Sequence, residues 1–227
     1  MISIIIPVYN EEAQLPRLLQ HIQEFSSNNI TEIIVVDGGS TDATKEIVRK
    51  TPAVRFIYSE KGRAKQMNAG AAAATSKILY FLHADSFPPL HFDSAIVNQV
   101  GTGNKAGCFR MKFDKNHWWL NLMGWFTTIN HKACRGGDQS LFITKELFNE
   151  IGGFDEIYIV FEDNDLIGKL YKRKSFTIIP KWLTTSARRY EKVGIWKLQY
   201  FFALLYLKKM KGATPEELYQ YYKKKLS

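Results

Sequence analysis

The chain has 227 residues, 45% of them hydrophobic and 14% aromatic, with 31 Lys and Arg against 22 Asp and Glu, a formal charge of +9. That length and apolar content bury one sizeable core and exclude a disordered chain, while 15 Gly and 7 Pro exclude a collagen-like or low-complexity one. Two cysteines, Cys108 and Cys134, lie far apart without metal-ligand spacing; they exclude a disulfide framework and read as ordinary thiols.

Along the first half, strand and helix signals alternate. Ile2–Val8 is a β-branched run. Pro7 interrupts it and Asn10, Glu11 and Glu12 follow it, so it reads as a buried strand and not as a secretory signal. Residues 11–25 carry Leu15, Leu18, Leu19, Ile22 and Phe25 near helical spacing, with Pro16 in the first turn. Residues 32–36 are a second strand. Residues 41–50 read as a helix capped by Thr41 or Asp42. A third strand at 54–58, an Ala-rich helix at 63–74 and a fourth strand at 77–82 follow. Apolar strands alternating with helices predict a parallel sheet covered on both faces.

The second half is less regular. Strands are expected at 106–113, 141–144 and 176–179, and a helix at 164–172. The aromatic segment 117–126 reads either as a core helix or as a lid or acceptor surface. The last forty residues read as two helices, the second opened by Thr214, Pro215, Glu216 and Glu217 as cap, proline and acidic first turn. Residues 188–227 hold 10 Lys and Arg against 3 Asp and Glu, so the charge concentrates in this tail. A basic tail can bind phosphates of nucleic acid, sit on an anionic membrane or be a solvated helix face. The interleaved Trp196, Tyr200, Phe201, Phe202 and Tyr206 favour the membrane surface, and no nucleic-acid-binding signature accompanies the charge, so no nucleic acid is expected. The most apolar stretch, 200–207, is too short to cross a bilayer, and a cytoplasmic protein, peripheral on the inner face of the membrane if the tail docks there, is expected.

In open α/β sheets, ligands sit beyond the carboxyl ends of the strands. Strand one ends in Pro7, Val8, Tyr9, Asn10 and Glu11, strand two in Asp37, Gly38 and Gly39, and strand four in His83, Ala84 and Asp85. Asp42 reads as a helix cap. Asp37 and Asp85 each follow an apolar run, where a buried carboxylate is costly unless paired or metal-bound. No GxGxxG follows the first strand and no GxxxxGK[ST] occurs, which removes the dinucleotide and P-loop readings.

The set PVYNE (7–11), VDGGSTD (36–42), LHAD (82–85) and FED (161–163), with GRAKQMNAG (62–70) and GGDQ (136–139), resembles the family 2 glycosyltransferases. The resemblance covers roughly residues 1–190. It implies an α/β fold of the GT-A type, a Rossmann-like, mostly parallel sheet flanked by helices, with a nucleotide-sugar half at 1–100 and an acceptor half at 101–190. Residues 191–227 would be a basic aromatic helical tail packed on that domain or on a membrane surface. It further implies a metal-dependent, inverting transfer from a nucleoside-diphosphate sugar to an acceptor hydroxyl. Pro7, Tyr9, Glu11, Asp37, Gly38, Arg63, Asn68, His83 and Ala84 would bind the donor. Asp85 would hold a divalent metal, Mg²⁺ or Mn²⁺, and Asp163 would be the general base. Glu162 and Asp138 would stand on the acceptor side, and Arg188 and Arg189 would clamp phosphate. His83 departs from the family's first D-x-D aspartate. The acceptor is unidentified; the basic aromatic tail and the tryptophans at 118, 119 and 125 favour a lipid-linked one. Three rival readings stay open: a nucleotide-sugar-binding protein without catalysis, a docking module on an α/β scaffold, and a nucleotidyltransferase on a related fold.

Overall fold

A computed structural model describes residues 1–136 and 139–226. The strands are β1 (Ile2–Val8), β2 (Ile30–Asp37), β3 (Val54–Tyr58), β4 (Ile78–Phe81), β5 (Ser86–Phe87), β6 (Ala106–Phe113), β7 (Leu141–Thr144) and β8 (Thr177–Thr185). They form one sheet in the order β3-β2-β1-β4-β7-β6-β8-β5. β3, β2, β1 and β4 run parallel, β7 is antiparallel to both β4 and β6, β8 is parallel to β6, and β5 closes the edge antiparallel to β8. The chain winds from β1 outward to β3 and then returns to the other side of β1 as β4. The reversal between β1 and β4 opens a crevice at their carboxyl ends.

Alternation along the strands divides the core into two layers. Ile4, Ile6, Val35 and Tyr80 point to one face with Leu18 and Ile22 of α1 (Leu15–Phe25) and Phe92 and Ile96 of α4 (Phe92–Gly101). Ile5, Ile34, Val36, Leu79 and Phe81 point to the other, with Met67 and Ala71 of α3 (Arg63–Ala73), Leu147 and Phe148 of α6 (Lys145–Glu150), and Leu166 and Leu170 of α7 (Glu162–Lys172). A Cβ at Gly70 would lie 2.4 Å from Ile5 Cγ2 and 3.0 Å from Val36 Cγ2, so the absent side chain is what lets α3 lie close on β1 and β2.

Several expected elements shift, each for a local reason. The helix expected at 41–50 begins only at Thr44, as α2 (Thr44–Lys50), because the Asp42 carboxylate accepts from both Thr44 N at 3.1 Å and Glu12 N at 3.1 Å, joining the loops after β1 and β2. The strand expected at 176–179 runs on to Thr185. Its pairing with β6 jumps from Ile179 to Trp182, which places Pro180, with no N–H to donate, in the irregularity. Segment 117–126 is a helix, α5 (Trp118–Phe126), but it buries only Leu120 and Gly124, so it is not a core helix. The tail has three helices instead of two: α8 (Arg188–Val193), α9 (Ile195–Met210) and α10 (Pro215–Leu226). α10 opens as expected, with Glu217 N donating to Thr214 Oγ1 at 3.3 Å and Thr214 N to Glu217 Oε2 at 2.9 Å, a reciprocal cap.

Candidate functional site

Two clefts meet at the carboxyl ends of β1 and β4. The smaller, of about 520 Å³, is lined by Pro7, Tyr9, Glu11, Arg63, His83, Ala84, Asp85, Arg188 and Arg189 among others, so nine of the residues singled out from the sequence share one surface. The larger, of about 950 Å³, holds Glu162 and Asp163. Tyr9, Arg63, Gln66, Arg189, Tyr190 and Phe202 line both, so the two clefts are continuous across these side chains.

Backbone and side-chain bonds hold the loops after β1 and β2 together. Asn10 takes a left-handed conformation (φ +55°), its N donates to Ser40 Oγ at 2.9 Å, and its Oδ1 accepts from Thr41 N at 2.8 Å. Asp37 is 3% exposed and turns inward to its own loop, accepting from Gly39 N at 3.2 Å, from Ser40 N at 3.1 Å and from the Ser40 hydroxyl. Gln66, buried on α3, donates to Val8 O and Val36 O, both at 2.8 Å, and so ties the ends of β1 and β2 from beneath. Gly38 leaves room for that amide, since a Cβ there would stand 3.1 Å from it. Asp37, Gly38 and Asn68 line neither cleft. Asn68 instead clamps the segment before α7, donating to Phe154 O at 2.9 Å and accepting from Phe154 N at 3.0 Å. Asp138 lies outside the described residues.

In the smaller cleft, Arg188 connects distant carboxylates. Its guanidinium forms two bonds to Glu11, at 2.9 and 2.7 Å, and reaches Asp85 Oδ2 at 3.2 Å. The hydrogen bond to Glu11 holds Arg188 above the ordinary range of an arginine. Arg63, Arg188, Arg189 and Lys192 line this cleft against Glu11 and Asp85, so its described lining carries more positive than negative charge. Such a surface receives an anion. Asp85 offers one carboxylate at the cleft. Among the described residues no three His, Cys, Asp or Glu side chains converge as a metal cage. That donor set fits a hard cation that arrives with phosphates, as Mg²⁺ does with one or two carboxylates, and does not fit a closed structural site.

In the larger cleft, Phe161 (φ +75°) turns the chain into α7, whose first turn carries Glu162 and Asp163. Arg63 Nη1 stands 3.2 Å from Glu162 Oε1 and 3.8 Å from Asp163 Oδ2. A wall not recognised in the sequence comes from Arg135, which is 2% exposed. It donates to Gln139 Oε1, Thr127 O and Ile129 O, each at 2.7 Å, and to Cys108 Sγ at 3.3 Å. Burial pushes the Cys108 thiol up to about 11, with Arg135 pulling against it, which leaves it protonated and inert near neutral pH. Asn164 Nδ2 donates to Arg135 O at 3.1 Å, fastening this loop to the start of α7. Much of the rest of the wall is apolar or aromatic: Met111, Phe113, Met123 and Phe126 from β6 and α5, Phe202, Leu205 and Tyr206 from α9, and Tyr219 and Tyr222 from α10.

Comparisons with known proteins identify the family and the fold. The sequence model of Glycosyl transferase family 2 matches residues 3–176. An uncharacterized glycosyltransferase of Haemophilus influenzae is 30% identical over 193 residues, 78% of this chain and 64% of that protein. The undecaprenyl-phosphate 4-deoxy-4-formamido-L-arabinose transferase of Aeromonas hydrophila is 33% identical over 96 residues, 37% of this chain and 29% of that protein. Among solved structures, S. aureus TarS 1–349 in complex with UDP superposes with a TM-score of 0.68 at 19% identity, over 82% of this chain and 60% of that one. GalNAc-T7 with UDP, GalNAc and Mn²⁺ superposes at 0.66 with 15% identity, over 82% of this chain and 44% of that one. At such identities the likeness shows the fold, which is the GT-A fold. The chain spans less than two thirds of the length of these relatives.

Proposed function

This chain belongs to Glycosyl transferase family 2, and we propose that it moves a glycosyl group from a nucleoside-diphosphate sugar to an acceptor hydroxyl with inversion at the anomeric carbon. The observation that carries this reading is the pair of continuous clefts, one whose charged lining is mostly cationic and the other holding Asp163.

The donor's diphosphate would lie in the smaller cleft beside Arg63, Arg188 and Arg189, where a guanidinium offers paired donors to phosphate oxygens. Tyr9, with Lys61 Nζ 3.6 Å from its ring centroid, and Glu11 would meet the nucleoside. Asp85 would hold a divalent cation together with the diphosphate, and when bound that ion would offset charge on the leaving group. For Asp85 to do so, Arg188 gives up one of its partners and turns to phosphate.

Transfer breaks the bond between the sugar C1 and the diphosphate oxygen and forms one from C1 to the acceptor oxygen. The acceptor's proton goes to the Asp163 carboxylate, and no covalent enzyme intermediate is needed. Glu162 is 2% exposed and paired with Arg63, a place suited to holding Arg63 still and not to receiving a proton. The apolar wall of the larger cleft supports an acceptor with a lipid or other apolar part beside its hydroxyl.

The test is a thermal-shift screen of nucleoside diphosphates and their sugars with Mg²⁺ or Mn²⁺, since a ligand bound to the folded chain raises the melting temperature. The matching sugar nucleotide should stabilise the chain, and turnover should release a nucleoside diphosphate. Release of pyrophosphate would instead identify a nucleotidyltransferase, and stabilisation without any donor cleavage would identify a binding protein.

A further inference from the structure

α9 is apolar on opposite sides. Leu198, Phe201 and Leu205 are buried against the body. Facing away, Trp196, Tyr200, Ala203, Leu207 and Met210 recur at i, i+4, i+7, i+11 and i+14, and all five are exposed, Tyr200 by 62% and Met210 by 81%. A helix with an apolar stripe on its solvent side as well as on its packed side requires a second apolar environment. α5 extends the same face. Trp118, Leu122 and Trp125, at i, i+4 and i+7, are exposed, and the ring centroids of Trp118 and Trp119 lie 5.8 and 5.3 Å from that of Trp196.

We infer that this joined face of α5 and α9 docks on an anionic lipid bilayer and lies in its interface. The composition fits, because Trp and Tyr favour the headgroup level while Leu and Met reach the acyl boundary. The charge fits as well. Exposed Lys197, Lys208 and Lys211 accompany the stripe, and no Asp or Glu occurs between Glu191 and Glu216. The same charge opposes a second copy as occupant, since pairing would bring two segments of 10 cations and 3 anions together. The 16 residues of α9 extend about 24 Å, short of a hydrocarbon core of about 30 Å. Among the described residues, no helix is long and apolar enough to cross a membrane. These two helices also supply Met123, Phe126, Phe202 and Leu205 to the larger cleft, so docking places that cleft beside the bilayer surface. The inference goes beyond glycosyl transfer and does not depend on it.

The test uses the full chain with vesicles of phosphatidylcholine alone and of phosphatidylcholine with roughly one third phosphatidylglycerol. The chain should sediment with the anionic vesicles, and brominated acyl chains should quench its tryptophan emission. Tyr200→Glu combined with Leu207→Glu should lower the partition coefficient by about tenfold or more, with circular dichroism and melting temperature verifying the fold. Replacing Lys223, Lys224 and Lys225 of α10 with Gln should lower it by less than about threefold. The inference is overturned if the full chain ignores anionic vesicles, if the double variant binds undiminished, or if the lysine variant loses as much as the double variant. A concentration-dependent dimer without vesicles that the double variant dissolves would also overturn it, assigning the face to a second copy.

Discussion

Asp163 and Asp85 are both carboxylates near the meeting point of two clefts, yet their surroundings assign them different work. Asp163 opens a helix beside Arg63 in the cleft with apolar walls, whereas Asp85 follows β4 and faces Arg188 among cations. Asp163→Asn keeps the shape and removes the proton acceptor. Transfer should fall by about 10²- to 10⁴-fold while donor affinity, measured by calorimetry, stays nearly constant. Asp85→Ala should show the opposite pattern: the part of donor affinity that depends on Mn²⁺ disappears, and titrations with and without the ion become alike. If both variants lose the same quantity, the division of roles is wrong. Cysteine chemistry offers an independent check at this scale. Cys108 is buried with its thiol held protonated, while Cys134 is half-buried and lines the larger cleft. A maleimide near neutral pH should therefore label one thiol per native chain, and peptide mapping should place it at Cys134.

At the scale of elements, α3 matters most, because one helix does three things. Its first residue, Arg63, borders both clefts; Gln66 holds the ends of β1 and β2; and Gly70 brings the helix down onto the sheet. Gly70→Ala adds a methyl group where Ile5 stands 2.4 Å away. Overpacking of that kind costs about 1–3 kcal/mol, more than alanine regains through helix propensity of up to about 1 kcal/mol. The melting temperature should drop by several degrees, and the lifted helix should weaken donor binding too. An unchanged melting temperature would mean that α3 rises without consequence. The register jump in β8 and the late start of α2 belong to the same scale. Each follows from one residue, Pro180 or Asp42, whose bonding needs override the surrounding pattern.

For the molecule as a whole, the important feature is that the last helices of the chain complete a cleft begun by its first half. Tyr9 and Arg63 stand opposite Phe202, Tyr219 and Tyr222 in sequence order, yet they line one space. Arg189, whose guanidinium carbon is 5.7 Å from the Phe202 ring and 5.2 Å from the Tyr222 ring, ties α8 to α9 and α10. Tyr219 and Tyr222 do not line the smaller cleft. Tyr222 also holds Arg189, so the separating variant is Tyr219→Ala alone, which should leave the thermal shift caused by a nucleoside diphosphate intact and reduce transfer to acceptor. Loss of the nucleotide shift would show that α10 supports the donor cleft as well.

Local pattern was enough to determine the parallel half of the sheet, the end of α10's cap and the strand-end motifs, because β-branched runs, helical periodicity and capping residues act over a few positions. The residues at the ends of β1 and β4 were legible for the same reason: the chain must leave a parallel strand where a ligand can reach it. Tertiary structure alone decided which of these groups meet. Asp37 carries the same carboxylate as Asp85 and Asn68 an amide, but their oxygens are engaged by nearby backbone N–H groups, and no spacing in the chain announces that. Nor does sequence distance reveal that Arg188 would bridge Glu11 and Asp85, or that Arg135 would be buried behind the larger cleft. Those pairings arise when helices from opposite ends of the chain pack on one sheet, since long-range contacts are set by the geometry of packing and not by any short run of residues.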